Sequence, residues 1–206
     1  MGISYHDAYR LAAQKVDMTV KFFLNDESVD ALSIYGLSYD NVVGRGDDEI
    51  QDILKVQEEQ YRAWLSDPFI YSKRVRVVFL GDVRLYFERL PPSYILRMQE
   101  LEDKTQNNDW KKLFILIGYS GRRDPMKRSL FDLAAPSFQR RFGGSAPPEV
   151  DLVVRTGGQA RLSDALPYQT AYADLYVISK LITEIEVSDL DLALKSLSSL
   201  VRNVGR

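Results

Sequence analysis

The 206-residue chain contains no cysteine and a single histidine, His6. The lack of cysteine excludes disulfides, iron–sulfur clusters and cysteine-ligated zinc, and a lone histidine excludes a metal site built on a histidine pair. Any metal ion is therefore expected to be a hard, oxygen-bound ion such as Mg²⁺. No apolar run approaches the roughly 18 residues of a membrane span, and the first residues lack the layout of a signal peptide. These absences favour a cytoplasmic protein.

The composition is that of one well-packed domain, which we place at residues 1–206. Hydrophobic side chains make up 45% of the chain and charged side chains 27%, which suits one core and is short of two domains. The formal net charge is -2, yet basic residues are concentrated between positions 121 and 161. Because nucleic-acid-binding proteins are more often basic overall, this local excess favours a small anionic ligand and no nucleic-acid partner.

Short apolar runs alternate with amphipathic segments along the chain. This pattern predicts an α/β fold, a single domain with a mostly parallel central sheet flanked by helices. The first helix begins after Ser4, an N-cap with Asp7 three residues later and with Ile3 and Ala8 as a hydrophobic staple. The other predicted helices cover 47–64, 91–104, 124–141 and 188–202, and the predicted strands cover 31–35, 75–80, 113–117, 151–154 and 174–178.

The segment Asp151–Ser163 has the residue types of an anion-binding site. A short apolar strand leads into the turn Gly157-Gly158, which lets backbone N–H groups approach a ligand. Arg155 and Arg161 supply guanidinium groups and Ser163 supplies a hydroxyl. Because the fixed donors of arginine match phosphate oxygens in pairs, we predict that this segment binds a diphosphate.

Two further polar segments follow predicted strands, namely 38–41 with Arg45, and 119–124. Ligands of α/β proteins bind at the carboxyl ends of parallel strands, so both segments are expected near the diphosphate site. Asn41 is also a common turn former, and solvation also explains the arginines of 119–124, so each of these assignments taken singly stays open.

Three other features have both a functional and a structural interpretation. His6 either orients a phosphate or relays a proton, or it lies exposed in the first turn of a helix. Asp174, at the start of a strand, either binds Mg²⁺ that bridges a diphosphate or pairs with a buried arginine. The acidic run 48–52 is interpreted as a solvated helix start. The chain has no P-loop or dinucleotide glycine motif, so nucleotide hydrolysis and Rossmann oxidoreduction have no support.

With these residues described, the chain resembles the cis-prenyltransferases, the undecaprenyl and dehydrodolichyl diphosphate synthase family. The strongest segment is Asp151 to Tyr176, which is similar to the family's D-L-V-I-R-T-G-G-x-x-R-L-S followed by A-Y-A-E-L-Y-F. Weaker matches are 32–41, 75–82 and 118–124. The resemblance implies that isopentenyl diphosphate elongates an allylic prenyl diphosphate with Mg²⁺ present, each new double bond being cis.

The resemblance also implies roles for single residues. Asn41 and Arg45 match the family's S-x-x-N and its nearby arginine, with one extra residue before Arg45. His6 matches the histidine of G-H-x-A-G, although tyrosines stand at the two glycine positions. Asp174 stands where the family has a metal-binding glutamate. The residues implied to hold isopentenyl diphosphate are Arg155, Arg161 and Ser163.

The implied partners are isopentenyl diphosphate, an allylic prenyl diphosphate and a second subunit. That subunit is a copy of the chain in a homodimer, or a related chain in a heterodimer. The lipid product implies loose peripheral contact with a membrane. Product length depends on the volume of an apolar tunnel, so these motifs do not set it.

Two departures from the family are expected to matter. The motif D-G-N-x-R-W-A does not occur in the 206 residues, and Asn203-Val-Gly205 replaces the family's R-x-G. We therefore expect impaired turnover from the chain as written, and unpaired backbone groups beside a missing central strand. The favoured interpretation is an enzyme whose sequence is incomplete here at the N-terminal side relative to the family, and whose native form makes polyprenyl diphosphates. The alternatives are a non-catalytic subunit of a heteromeric synthase and an isoprenoid-diphosphate-binding protein without turnover.

Overall fold

The computed structural model describes residues 4–82, 85, 88–123 and 147–198. The helices within these ranges are α1 (Tyr5–Asn25), α2 (Tyr39–Gly44), α3 (Asp47–Trp64), α4 (Pro68–Ser72), α5 (Pro92–Thr105) and α6 (Val187–Ser198). The strands are β1 (Ala31–Ser38), β2 (Val75–Leu80), β3 (Lys111–Tyr119), β4 (Leu152–Arg155) and β5 (Asp174–Val177). Every pairing between these strands is parallel, which confirms the predicted α/β class.

A three-stranded sheet in the order β1-β3-β2 forms the centre of the fold. Its middle strand is apolar and buried over 113–117, as expected for a strand that is covered on both faces. Because alternate side chains of a strand point to opposite faces, β2 and β3 contribute to two cores. Phe79 and Leu113 pack with α1, α3 and α5, whereas Val78 and Phe114 pack beneath Leu166 on the other face.

The amino edge of this sheet is closed by a buried lysine, Lys111. Its Nζ donates hydrogen bonds to the carbonyls of Asp26 at 2.9 Å, Glu27 at 3.3 Å and Val29 at 2.7 Å. Three acceptors offset the cost of burying the charge. Because these carbonyls follow α1, the lysine fixes the end of α1 at the amino edge, and the first turn of α1, with His6, lies towards the carboxyl edge.

The strands β4 and β5 form a separate two-stranded sheet, so the single central sheet predicted from the sequence is divided in two here. A further core packs against this second sheet and contains Phe23 of α1, Ile178 directly after β5, and Leu190 of α6. Leu32 of β1 and Val154 of β4 pack against the same core. Both β1 and β4 are edge strands among the described residues.

The predicted element boundaries agree closely with the structure. The helix 47–64 and the strand 75–80 are confirmed to the residue, and the strand 31–35 extends to Ser38. The N-cap is confirmed, since Oγ of Ser4 accepts a hydrogen bond from the N–H of Asp7 at 3.1 Å. Ile3, the predicted helix 124–141 and the end of the last helix lie outside the described residues. The two short helices α2 and α4 were not expected, and each begins at a capping side chain, Ser38 or Asp67.

Candidate active site at the carboxyl edge of the sheets

The carboxyl ends of β1, β2 and β3 enclose a small cleft of about 260 Å³, open solvent included. Its lining includes Tyr39, Asp82, Ser120 and Arg123. The guanidinium carbon of Arg123 lies 3.7 Å from the centre of the Tyr39 ring, a cation–π contact. The polar segments that follow β1 and β3 therefore meet at one edge, as predicted.

Asn41, predicted to be catalytic, and Arg45, predicted to bind substrate, lie just beyond β1. Asn41 is in the first turn of α2, where its N–H donates to Oγ of Ser38 at 3.0 Å. Nη1 of Arg45 donates to Oε1 of Glu49 at 2.9 Å and to the hydroxyl of Tyr9 at 3.1 Å. Arg45 thus already has a counter-charge within the protein.

The Tyr9 hydroxyl completes this cluster from α1. It donates to the same Glu49 oxygen at 2.6 Å. Burial, and then the hydrogen bond to Glu49, raise the pKa of Tyr9 to about 12, so Tyr9 is neutral at physiological pH. Tyr9 is one of the two tyrosines at the glycine positions of the family motif, and here its side chain contacts the residue predicted to bind substrate.

His6 lies beside this cluster, with its Nδ1 3.6 Å from Oδ1 of Asp52. Asp52 and Glu49 both belong to the acidic run 48–52. Its interpretation as a merely solvated helix start is therefore too simple, because two of its carboxylates face the residues expected to bind a phosphate. This pairing was not predicted from the sequence, because its partners come from two different helices, α1 and α3.

The glycine turn after β4 has the expected left-handed backbone, with φ values of 81° at Gly157 and 70° at Gly158. These values favour glycine over any other residue. The two N–H groups, however, donate to the carbonyl of Lys180 at 2.8 Å and to that of Ile178 at 3.0 Å. The expectation that these N–H groups approach a ligand is therefore wrong for this conformation. The glycines contribute a tight turn that joins β4 to the segment after β5.

Arg155 ends β4 directly before this turn. Its Nε is buried, and no described residue accepts a hydrogen bond from it. Arg161 and Ser163 follow in the loop and are exposed. The three residues predicted to hold a diphosphate thus lie on one continuous segment at the carboxyl edge, with one buried donor and two accessible side chains.

Asp164, which the sequence analysis did not single out, ties this segment to the turn after β3. Its carboxylate contacts Ser120 and Arg122. The polar segments after β3 and β4 are therefore in direct contact. Its position directly after the R-L-S motif was the only signal in the sequence, and its partners are more than 40 residues away.

Asp174 opens β5, where its N–H donates to the carbonyl of Asp151 at 2.9 Å. In the strand register Asp174 faces Leu152, and Val177 faces Arg155. Asp174 and Arg155 therefore lie at opposite ends of the small sheet, about 10 Å apart along the strands. No ion pair joins Asp174 to either predicted arginine. Among the described residues, no group of three His, Cys, Asp or Glu side chains is placed to hold a metal ion, so those residues alone do not form a magnesium site.

None of the helices in the described ranges is long and apolar enough to cross a membrane.

Comparison with known proteins places this arrangement in a family. A family model described as "Putative undecaprenyl diphosphate synthase" matches residues 2–205. The tritrans,polycis-undecaprenyl-diphosphate synthase (geranylgeranyl-diphosphate specific) of Pyrobaculum aerophilum is 34% identical over 216 residues, covering 100% of this chain and 89% of that protein. An isoprenyl transferase of Thermus thermophilus is 25% identical over 223 residues, covering 100% of this chain and 82% of that protein.

Solved structures agree on the fold. A probable undecaprenyl diphosphate synthase from Campylobacter jejuni has a TM-score of 0.74 and 22% identity, covering 95% of this chain and 90% of that one. Lavandulyl diphosphate synthase from Lavandula x intermedia, solved with dimethylallyl diphosphate, has a TM-score of 0.79 and 18% identity, covering 100% of this chain and 91% of that one. With the family match over almost the whole sequence, the chain belongs to the undecaprenyl diphosphate synthase family of cis-prenyltransferases.

Proposed function

We propose that this chain condenses isopentenyl diphosphate with an allylic prenyl diphosphate in cis-prenyl chain elongation, giving a polyprenyl diphosphate lipid-carrier precursor. The assignment of the binding site rests on Arg155. Its Nε is buried, and no described residue accepts a hydrogen bond from it. A buried guanidinium donor without an acceptor is costly, and an anionic ligand supplies the missing partner.

Isopentenyl diphosphate is assigned to Arg155, Arg161 and Ser163. Arg155 ends a strand and is partly buried, whereas Arg161 and Ser163 lie in an accessible loop. Guanidinium groups bind diphosphate oxygens in pairs, so this set both neutralises the substrate and orients it. An oriented isopentenyl group presents its terminal double bond to the second substrate, which lowers the entropic part of the barrier.

The allylic diphosphate is assigned to Asn41, Arg45 and His6. In the reaction, the bond between the allylic carbon and its diphosphate oxygen breaks, a carbon–carbon bond forms, and the isopentenyl unit loses a proton. Negative charge grows on the departing diphosphate, and donors aimed at that charge stabilise the transition state. Arg45 meets this requirement once it exchanges Glu49 for a diphosphate oxygen. Geranylgeranyl diphosphate is the proposed primer, because the Pyrobaculum relative is named as specific for it.

Magnesium dependence stays a prediction, with Asp174 as the proposed ligand. Among the described residues, Asp174 belongs to no group of three His, Cys, Asp or Glu side chains that could hold a metal ion. The remaining ligands of a bound ion would therefore come from the diphosphate, from water or from residues outside the described ranges. A cytoplasmic location, with loose membrane contact through the lipid product, stays a prediction as well.

A homodimer through β5 is the proposed assembly. This edge strand and its flanks expose large apolar side chains, which soluble monomers rarely cluster. Tyr168 is 70% exposed and Tyr172 84% exposed. Leu175 and Val177 point outward from the strand itself. Light scattering should give twice the monomer mass for wild type and the monomer mass for Leu175→Glu. A monomeric wild type that becomes dimeric only with a related chain would support the heterodimer instead.

Elongation is tested by incubating the purified chain with radiolabelled isopentenyl diphosphate, geranylgeranyl or farnesyl diphosphate, and Mg²⁺. Wild type should form products extractable into butanol, and Arg155→Ala should lose at least 99% of this incorporation. The matched control is Arg76→Ala in β2, near the amino edge, which should keep wild-type incorporation.

The outcomes separate the three interpretations. A folded wild type that binds isopentenyl diphosphate in calorimetry without elongating any primer would be a binding protein. Elongation that appears only after a related chain is added would identify a subunit of a heteromeric synthase. A wild type that elongates no primer under any of these conditions would overturn the proposed function.

A further inference from the structure

The loop that carries Arg161 and Ser163 is joined to the turn after β3 by one residue, Asp164. Its Oδ2 accepts a hydrogen bond from Oγ of Ser120 at 2.6 Å, and its Oδ1 accepts one from the N–H of Arg122 at 3.1 Å. Its carbonyl accepts a third from the N–H of Gly121 at 3.1 Å. The Asp164 side chain is 17% exposed, so water competes weakly for these contacts.

Packing around Asp164 also holds the loop against the turn after β3. Leu166 is 3% exposed and lies in the core with Val78 and Phe114. At Gly121 a Cβ atom would lie 2.1 Å from Cδ of Pro167 and 2.9 Å from the Asp164 carbonyl oxygen. The turn and the loop therefore approach more closely than any residue with a side chain at position 121 would allow.

The backbone of the loop is held in an unfavourable conformation at this joint. The φ angles are 51° at Ser163, 67° at Asp164 and 49° at Leu166. The left-handed region is uncommon for residues other than glycine, and it is a genuine outlier for a leucine. Such conformations persist where surrounding contacts impose them, and they cluster at functional sites. Here the imposing contacts are those of Asp164 and Leu166.

We propose that Asp164 is the positioning residue of the isopentenyl diphosphate site. By fixing the loop on the turn after β3, it holds the Ser163 hydroxyl and the Arg161 guanidinium where the diphosphate binds. This proposal rests on the proposed function, which assigns the diphosphate to those two side chains. Pre-ordering an exposed loop removes an entropic cost that the substrate would otherwise meet on binding. The expected consequence is on substrate affinity more than on turnover.

The test compares Asp164→Ala, Asp164→Asn and Ser120→Ala with wild type in steady-state elongation. Asp164→Ala should raise the KM for isopentenyl diphosphate about tenfold and change kcat by less than about threefold, which is the size expected for lost charged hydrogen bonds. Asp164→Asn should rescue KM to within about threefold, because an amide can still accept from the Arg122 N–H and donate to Ser120. Ser120→Ala removes one contact, so it should raise KM about twofold to threefold.

Asp67→Ala is the matched control. Asp67 also accepts from a backbone N–H, that of Phe69 at 2.9 Å, and contacts a side chain, Nζ of Lys21 at 2.8 Å, and its side chain is likewise 17% exposed. It lies at the start of α4, before β2 and away from the carboxyl edge. Its loss should lower thermal stability about as much as Asp164→Ala does while leaving KM unchanged.

A second readout is the affinity for inorganic pyrophosphate, measured by calorimetry, which should weaken about tenfold in Asp164→Ala and stay unchanged in Asp67→Ala. Unchanged KM and pyrophosphate affinity in Asp164→Ala would overturn the proposal, as would equal changes in Asp67→Ala. If Asp164→Ala does not fold, Ser120→Ala decides by the same criteria. If Arg155→Ala abolishes elongation while Asp164→Ala binds normally, the proposed function stands and the positioning role falls. If wild type does not elongate, the proposed function falls, and pyrophosphate affinity still decides on Asp164.

Discussion

Two arginines at the carboxyl edge of this protein are in opposite electrostatic situations. Arg155 has a buried Nε without an acceptor among the described residues, whereas Arg45 contacts both Glu49 and Tyr9. A guanidinium with an unpaired buried Nε gains a partner when an anion binds to it, whereas a guanidinium paired with a carboxylate must first give up that carboxylate. The proposed isopentenyl side is therefore preformed by the fold, and the proposed allylic side binds by exchange of partners.

Replacing each arginine with lysine tests this difference between Arg155 and Arg45 most directly. Lysine keeps the charge and loses the planar fork and the Nε donor. Arg155→Lys should lower kcat/KM for isopentenyl diphosphate about 100-fold, because the buried donor is lost, while Arg45→Lys should lower kcat/KM for the allylic substrate about tenfold. Steady-state kinetics with each substrate varied in turn measures both values. Equal losses for the two variants would remove the distinction drawn between the sites.

Substitution of Asp174 tests whether this carboxylate, at the opposite end of the small sheet from Arg155, binds the Mg²⁺ ion. If this carboxylate binds the ion, Asp174→Ala should raise the Mg²⁺ concentration for half-maximal activity about tenfold, while Asp174→Glu, which has the family's residue, should stay within about threefold of wild type. Activity is measured after removal of metal with EDTA and titration with MgCl₂. An unchanged Mg²⁺ requirement in Asp174→Ala would show that Asp174 is not a ligand.

Substitution of Glu49 tests whether Arg45 exchanges this carboxylate for the diphosphate of the allylic substrate. Glu49→Gln removes the carboxylate charge that competes with a diphosphate, so the Kd for geranylgeranyl diphosphate should fall about threefold to fivefold, with the KM for isopentenyl diphosphate unchanged. Calorimetry measures the first value and steady-state kinetics the second. The control is Tyr9→Phe, which removes the two hydrogen bonds of the Tyr9 hydroxyl and leaves the ion pair between Arg45 and Glu49 in place. Weaker allylic binding in Glu49→Gln would mean that Glu49 positions Arg45 and does not compete for it.

The smallest expected effect is a pH dependence of stability that arises from Tyr35 and Tyr9, one beside each proposed substrate site. Burial, and then nearby carboxylates that include Asp164, raise the pKa of Tyr35 from 10.0 to about 12, and the pKa of Tyr9 is raised to about 12 as well. Each tyrosine hydroxyl therefore holds its proton more tightly in the folded protein than in the unfolded chain. Its contribution to the free energy of unfolding is fully present below pH 10 and is lost as the pH rises through about 12.

The free energy of unfolding in urea should therefore fall between pH 10 and 12 in wild type, by a smaller amount in Tyr35→Phe, and by an intermediate amount in Tyr9→Phe because Tyr9 is closer to solvent. The measurement is tryptophan fluorescence at pH 9, 10.5 and 11.5. The same pH dependence in wild type and Tyr35→Phe would show that the Tyr35 hydroxyl does not carry this effect.

Much of the fold could be predicted because its signals are local. The caps at Ser4 and the periodicity over 47–64 and 75–80 lie within single elements, and each of these elements is confirmed. The glycine turn was predicted as a turn, yet the destination of its N–H groups was not, because they donate to carbonyls of Ile178 and Lys180 about 20 residues away. Local sequence propensity predicts the backbone conformation of a segment, but it does not predict which distant groups form hydrogen bonds with that segment.

The residue types of the site can be predicted from the sequence: two guanidiniums and a hydroxyl around a glycine turn on Asp151–Ser163, in the order that marks the family. Which of these groups are free to bind a ligand depends on contacts that form only in the folded chain. Tyr9 reaches Glu49 across 40 residues and Ser120 reaches Asp164 across 44. Whether a charge is paired depends on which elements the core brings side by side, and hydrophobic burial, which is not directional, sets that arrangement.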